Sequence, residues 1–209
     1  MRTKLKICGI TKLSDAVSCM ETGVDWLGFN FFKESPRYIS PQDAGKIIAQ
    51  LDDSVKTAAI LVRPNQDQII EIIKVSNVNI LQIYDPLDFT DLSIFGLQSI
   101  ICHRINAQHP TAEYPMMNAD MILLDSYSKD VLGGSGKKFN WDLIPDSIPR
   151  EKLILAGGIT PQNIAQALKT VNPAVIDIAS GAEKSPGIKD IDKIKKMVRE
   201  IKKYNNRMD

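Results

Sequence analysis

Histidine is nearly missing from this 209-residue chain, which holds only His103 and His109, and cysteine occurs three times, at Cys8, Cys19 and Cys102. Two histidines and no close Cys/His cluster argue against a zinc site. Three widely spaced cysteines do not make a disulfide framework. They point to a reducing compartment, so a cytoplasmic protein is expected. Excess charge is also missing: 26 Lys and Arg stand against 25 Asp and Glu, a net charge of +1. That balance gives no electrostatic reason to expect nucleic acid or a membrane surface as partner. No apolar run approaches the roughly 20 residues that span a bilayer. The start, Met1 to Leu5, passes directly into a strand-like run, so no signal peptide is expected.

What the chain does have is alternation. Apolar content of 44% and charged content of 24% suit an ordinary globular protein, and the length suits one domain spanning residues 1–209. Short apolar runs recur at Leu5 to Cys8, Trp26 to Asn30, Lys56 to Val62, Ile80 to Ile83, Ser99 to Cys102, Met121 to Leu124, Leu153 to Ala156 and Val175 to Ile178. Their near-continuous apolar character suits parallel strands covered on both faces. Helical spacing fills much of the rest. Lys12 to Thr22 follows Thr11 as cap, Pro41 to Leu51 follows Ser40, and Asn65 to Val75 follows the Pro64 break. Pro161 to Thr170 follows Thr160, and Asp190 to Tyr204 carries an apolar stripe from Ile191 to Ile201. The basic tail from Lys193 to Arg207 reads as a solvated helix face. Pro86 to Gln98 is a weaker helix, and Asn106 to Met117 is irregular. About as many helices as strands, at roughly 26 residues per unit, fit the α/β class as an eightfold βα (TIM) barrel. A doubly wound open sheet is the alternative.

Such a barrel gathers its strand C-termini into one mouth, and reactive or glycine-rich residues stand at those ends. Cys8 ends the first strand. As a thiolate it could take a proton from carbon, provided its surroundings lower a pKa of about 8.5; otherwise it is a buried packing residue. Asp125 closes the sixth strand and fits a general acid with a raised pKa, or a cap or loop ion pair. Gly157 and Gly158 end the seventh strand, Ser180 and Gly181 follow the eighth, and Gly133, Gly134 and Gly136 lie after Asp125. Glycines at the last two strand ends suit a phosphate cradle, although a single Gly-Gly pair is often only a turn. Arg37, after the second strand, could hold a carboxylate bidentately or simply face solvent.

Taken in order, the runs Lys6-Ile7-Cys8-Gly9-Ile10-Thr11, Gly28-Phe29 with Ser35-Pro36-Arg37, Leu124-Asp125-Ser126 with Gly133-Gly134-Ser135-Gly136 and Phe139-Asn140-Trp141, Leu155-Ala156-Gly157-Gly158, and Asp177 with Ser180-Gly181-Ala182-Glu183 then Pro186-Gly187-Ile188-Lys189-Asp190 resemble the phosphoribosylanthranilate isomerases of tryptophan biosynthesis. The resemblance implies an Amadori rearrangement of N-(5-phosphoribosyl)anthranilate to 1-(2-carboxyphenylamino)-1-deoxyribulose 5-phosphate. It implies no cofactor and no metal, a small phosphosugar substrate, and a monomer or a homodimer. By the resemblance Asp125 is the general acid that opens the ring, and Cys8 is the base that removes the C2 proton. Arg37 holds the anthranilate carboxylate, and backbone groups near Gly134, Gly157, Gly158, Ser180 and Gly181 bind the phosphate.

The middle of the chain departs from that pattern. Relatives usually read Gln-Leu-His-Gly after the fourth strand; here it is Gln82-Ile83-Tyr84-Asp85. Where relatives often carry a lysine after the fifth strand, this chain reads Ile101-Cys102-His103-Arg104. Three other readings stay open. An indoleglycerol-phosphate synthase needs a lysine acid with no matching strand end here. A ribulose-phosphate epimerase needs a metal site or paired aspartates. A binder that kept its anion cradle without turnover draws on the altered Tyr84 and Asp85.

Overall fold

A computed structural model describes residues 2–86, 91–105, 118–126 and 140–207. Eight parallel strands close into a barrel in chain order. They are β1 (Lys4–Cys8), β2 (Trp26–Asn30), β3 (Lys56–Val62), β4 (Ile80–Tyr84), β5 (Gln98–Ile105), β6 (Met121–Ser126), β7 (Leu153–Leu155) and β8 (Val175–Ile178). Closure comes from pairing of β1 with β8, where Lys6 lies opposite Asp177. A short antiparallel pair, β9 (Glu183–Ser185) and β10 (Ile188–Lys189), follows β8. The open-sheet alternative is thereby set aside.

Period-two alternation decides what each strand presents to each side. On β1, Leu5 and Ile7 join the layer under the helices, while Lys6 and Cys8 face the axis. On β4 the inward set is Ile80, Gln82 and Tyr84; on β6 it is Met121, Leu123 and Asp125. Both faces are dry, which is why the strands read as near-continuous apolar runs. The inner polar residues are the exceptions, and they cluster toward the C-terminal mouth.

Among the described residues the helices are α1 (Leu13–Thr22), α2 (Pro41–Ile48), α3 (Gln66–Ser76), α4 (Ile164–Val171) and α5 (Ile191–Asn205). Each answers to one of the five firmer helical stretches read from the sequence. The expected helix over Pro86 to Gln98 is a single 3-10 turn at Ser93–Phe95, with residues 87–90 outside the described set, as are 106–117. Ser40 caps α2, Asn65 caps α3 through a reciprocal pair with Gln68, and Asp190 caps α5. Two expected caps fail. Thr11 donates its hydroxyl to the Gly187 carbonyl at 2.7 Å, so α1 starts at Leu13 without a side-chain cap. Thr160 is drawn into a turn in which its N–H donates to Asn163 Oδ1, and α4 starts only at Ile164. Another partner takes the Thr11 hydroxyl, whereas Thr160 Oγ1 accepts from Gln162 N at 3.3 Å and so caps the turn that precedes α4 rather than the helix itself.

The α5 stripe packs as expected, burying Ile194, Met197, Val198 and Ile201. Its end is tied to the first strand: Asn205 Oδ1 accepts from Thr3 N at 2.9 Å, and Nδ2 donates to Thr3 O at 3.0 Å. No helix among the described residues is long and apolar enough to cross a membrane.

Candidate active site

Cys8 sits at the end of β1 with its side chain half-buried at the cavity that opens from the barrel mouth. Gly28, its register partner on β2, makes the room: a Cβ there would lie 3.2 Å from Cys8 Sγ and 2.9 Å from Ile60 Cδ1. Beneath it, Lys6 is fully buried, with Nζ 2.9 Å from Asp177 Oδ2. Burial pulls the Lys6 ammonium down, yet attraction to Asp177 and Cys8 more than offsets it and leaves its pKa above the usual lysine value. Burial pushes the Cys8 thiol up, against the downward pull of Lys6, Lys189 and Arg37. The surroundings therefore do not supply the lowered pKa that a resting thiolate needs. Cys19 and Cys102 are buried packing thiols, and burial pushes Cys19 up to about 12.

Asp125 ends the inward set of β6 and is 5% exposed. Burial, and then repulsion from Asp177, raise its pKa from 3.8 to about 6, against donors that favour the charged form. Ser126 N donates to Oδ1 at 2.8 Å, and the Tyr84 hydroxyl stands 3.4 Å from Oδ2. A carboxyl kept partly neutral near neutral pH is what general-acid work requires.

Arg37 reaches the same cavity from the loop after β2, but it does not face solvent. Nε donates to Glu183 Oε1 at 2.9 Å and Nη2 to Oε2 at 2.8 Å, so its bidentate edge is taken by an internal carboxylate. Lys189 Nζ donates to the same Oε1 at 2.7 Å and to the Cys8 carbonyl. Burial would raise Glu183, but Arg37 and Lys189 hold its carboxyl below the usual range. Among the described residues the side-chain hydrogen bonds of Arg37 use Nε and Nη2 and none uses Nη1.

The far wall is backbone. Gly157 and Gly158 both have positive φ, +84° and +63°, and a Cβ on Gly157 would lie 2.6 Å from Ser126 N. The resulting turn accepts no side chain and lets a ligand approach closely. No hydrogen bond among the described residues engages the N–H groups of Gly157 and Gly158. Ser180 and Gly181, in the 3-10 turn after β8, line the same cavity. Gln82 and Asp177 line it too, and Gln82 Oε1 and Asp177 Oδ1 are buried acceptors with no hydrogen-bond partner among the described residues.

Cys8, Arg37, Asp125, Gly157, Gly158, Ser180 and Gly181 thus border one cavity. Gly134 lies outside the described residues. Sequence reasoning gave no role to Lys6, Gln82, Asp177, Glu183 or Lys189, which it named only within longer runs. A lysine inside Leu5-Lys6-Ile7 and an aspartate inside Ile176-Asp177-Ile178 were available signals, since charges inside buried strands need partners. Nothing local marks Glu183, whose partner Arg37 lies 146 residues away.

Comparison with known proteins points one way. A protein-family model described as N-(5′-phosphoribosyl)anthranilate (PRA) isomerase matches residues 5–200. The N-(5′-phosphoribosyl)anthranilate isomerase of Trichlorobacter lovleyi is 35% identical over 208 residues, covering 95% of this chain and 98% of that protein. The crystal structure of phosphoribosyl anthranilate isomerase from Thermotoga maritima matches with a TM-score of 0.82 at 32% identity, covering 96% of this chain and 99% of that one. A crystal structure of such an isomerase in complex with reduced 1-(o-carboxyphenylamino)-1-deoxyribulose 5-phosphate matches at 0.79 and 30% identity, with the same coverage.

Proposed function

The chain belongs to the N-(5′-phosphoribosyl)anthranilate isomerase family, and from that premise we propose which of its groups carry the reaction. The reaction is the Amadori rearrangement of N-(5-phosphoribosyl)anthranilate to 1-(2-carboxyphenylamino)-1-deoxyribulose 5-phosphate, in tryptophan biosynthesis.

Asp125 gives its proton to the ring oxygen. The C1–O bond breaks, and the nitrogen lone pair forms the C1=N iminium. Cys8, as thiolate, takes the C2 proton, and the freed electron pair neutralises the nitrogen to give an enolamine. The Cys8 thiol then returns a proton to C1 while the Asp125 carboxylate receives the enol proton, leaving a C2 ketone. Both groups end as they began, so no outside acid, base or oxidant is consumed. The iminium beside Cys8 favours the step that its burial opposes, because a nearby cation stabilises the developing charge.

The remaining wall groups match the rest of the substrate. The Nη1 side of Arg37 suits the anthranilate carboxylate, held rigid from behind by Glu183. Gln82 Oε1 and Asp177 Oδ1 suit ribose hydroxyls, which would satisfy two orphaned acceptors. The Gly157–Gly158 turn with Ser180 and Gly181 suits the phosphate, and that remote anchor would fix the sugar between acid and base. We read the chain as one domain working in a reducing cytoplasm, where a free thiol at Cys8 persists.

The observation that carries this reading is that Cys8 and Asp125 border one cavity, with burial raising the carboxyl to about 6. Substrate deuterated at C2 tests the base. Wild-type enzyme is expected to turn over this substrate with a primary isotope effect, while Cys8→Ala leaves the C2 label in place. Removal of the label by Cys8→Ala at a near wild-type rate takes Cys8 out of the role.

A further inference from the structure

Tyr84 and Arg104, two of the positions where this chain departs from its relatives' usual pattern, meet at the acid. The strand register places Arg104 on β5 directly opposite Asp125 on β6. The Arg104 guanidinium lies over the Tyr84 ring, 5.2 Å from its centroid. Asp85, turned back by a left-handed backbone at φ +49°, anchors that guanidinium through Nη1 at 3.2 Å. Arg104 Nε and Nη2 are buried and make no hydrogen bond among the described residues. The ion pair to Asp85 and the stacking on Tyr84 together set its position. The ring is thereby held with its hydroxyl 3.4 Å from Asp125 Oδ2.

We propose that Tyr84, clamped by Arg104 and Asp85, is a positioning residue for Asp125, orienting its carboxyl toward the substrate and donating a hydrogen bond to the negative charge left on Oδ2 after proton transfer. This rests on the reading of Asp125 as the acid. Ser126 N–H pins Oδ1, so among the described residues Tyr84 is the hydrogen-bond donor that fixes the second carboxyl oxygen. A contact of 3.4 Å is long for O–H···O and shortens as the oxygen becomes charged. Asp125 also faces Asp177 from β8, and Tyr84 faces Cys8 and Cys102 as well as Asp177. The tyrosine itself stays neutral, because burial pushes its phenol well above the usual value.

Tyr84→Phe keeps the ring and its stacking and removes only the hydroxyl. The expected result is a kcat about threefold to tenfold lower with KM within about twofold. Titration of the Asp125 carboxyl, followed by 13C NMR in the free enzyme, is expected to move to higher pH by about half a unit or more. Arg104→Met is expected to shift both readouts in the same direction by less. A kcat that holds or rises in Tyr84→Phe, an effect confined to KM, or an unmoved carboxyl titration overturns the proposal. Asp125→Asn separates the two levels. If it retains turnover, the acid assignment fails first. If it is inert while Tyr84→Phe behaves as wild type, only the tyrosine's role is lost.

Discussion

Asp125→Asn should make the protein inert and, above pH 6, more stable. The carboxyl is 5% exposed, and burial lifts its pKa from 3.8 to about 6. In the unfolded chain the same group ionises near pH 4. Below pH 4 it is protonated in both states and imposes no penalty. Between about 4 and 6 the unfolded chain releases the proton while the folded protein keeps it, so stability falls as pH rises through that window. Above it the folded protein carries a buried carboxylate beside Asp177. A shift of about two units, at about 1.4 kcal/mol per unit, amounts to about 3 kcal/mol lost between pH 4 and pH 8. Asparagine does not titrate, so the variant escapes that loss. Urea unfolding at pH 4.5 and pH 8, followed by Trp26 and Trp141 fluorescence, reads the difference. The variant should gain about 1 kcal/mol over wild type at the lower pH and about 3 kcal/mol at the higher, the latter equivalent to a Tm about 6–12 °C higher. All other titrating groups are shared and cancel. A difference that does not change with pH, or a variant less stable at pH 8 than at pH 4.5 relative to wild type, would refute the reasoning.

Lys6→Met strands the Asp177 carboxylate inside the barrel without its 2.9 Å partner. It should cost about 3–5 kcal/mol in urea unfolding, with most of the loss recovered when Asp177→Leu is added. The pH profile of kcat/KM should be bell-shaped. Below about pH 6 both Asp125 and Cys8 are protonated and no base exists; above the raised Cys8 pKa both are ionised and no acid exists. Between these limits one proton is shared by the pair, and a fixed fraction of molecules holds it on Asp125, giving a plateau. A profile that falls steadily from pH 6 upward would contradict that sharing.

The barrel was legible because its strands are dry on both faces, so apolar runs such as Trp26–Asn30 and Lys56–Val62 stand out and are found within the same bounds. The helix start after Ser40 was also legible, whereas Asn65 was read as the first helical residue and is in fact the cap of α3. The starts expected after Thr11 and Thr160 were not, because the threonines are engaged by Gly187 and by the turn before α4. The strand-end residues Cys8 and Asp125 could be placed at one mouth by topology alone. Their electrostatics could not. The Cys8 thiol is raised because burial outweighs three cations, and this depends on depth, which sequence does not carry. The Arg37 guanidinium looked like a free carboxylate receptor, yet Glu183 already occupies one of its edges from a strand outside the barrel. Tyr84 read as a departure of unknown consequence until the register put Arg104 opposite Asp125.

The most direct measurement is turnover of phosphoribosylanthranilate, generated in situ and followed by loss of its fluorescence, with purified wild type, Cys8→Ala and Asp125→Ala. Wild type should consume it, and each variant should fall by at least about a thousandfold while keeping a cooperative unfolding transition. Turnover within about tenfold of wild type in either folded variant would contradict the assignment of acid and base to this thiol and this carboxyl.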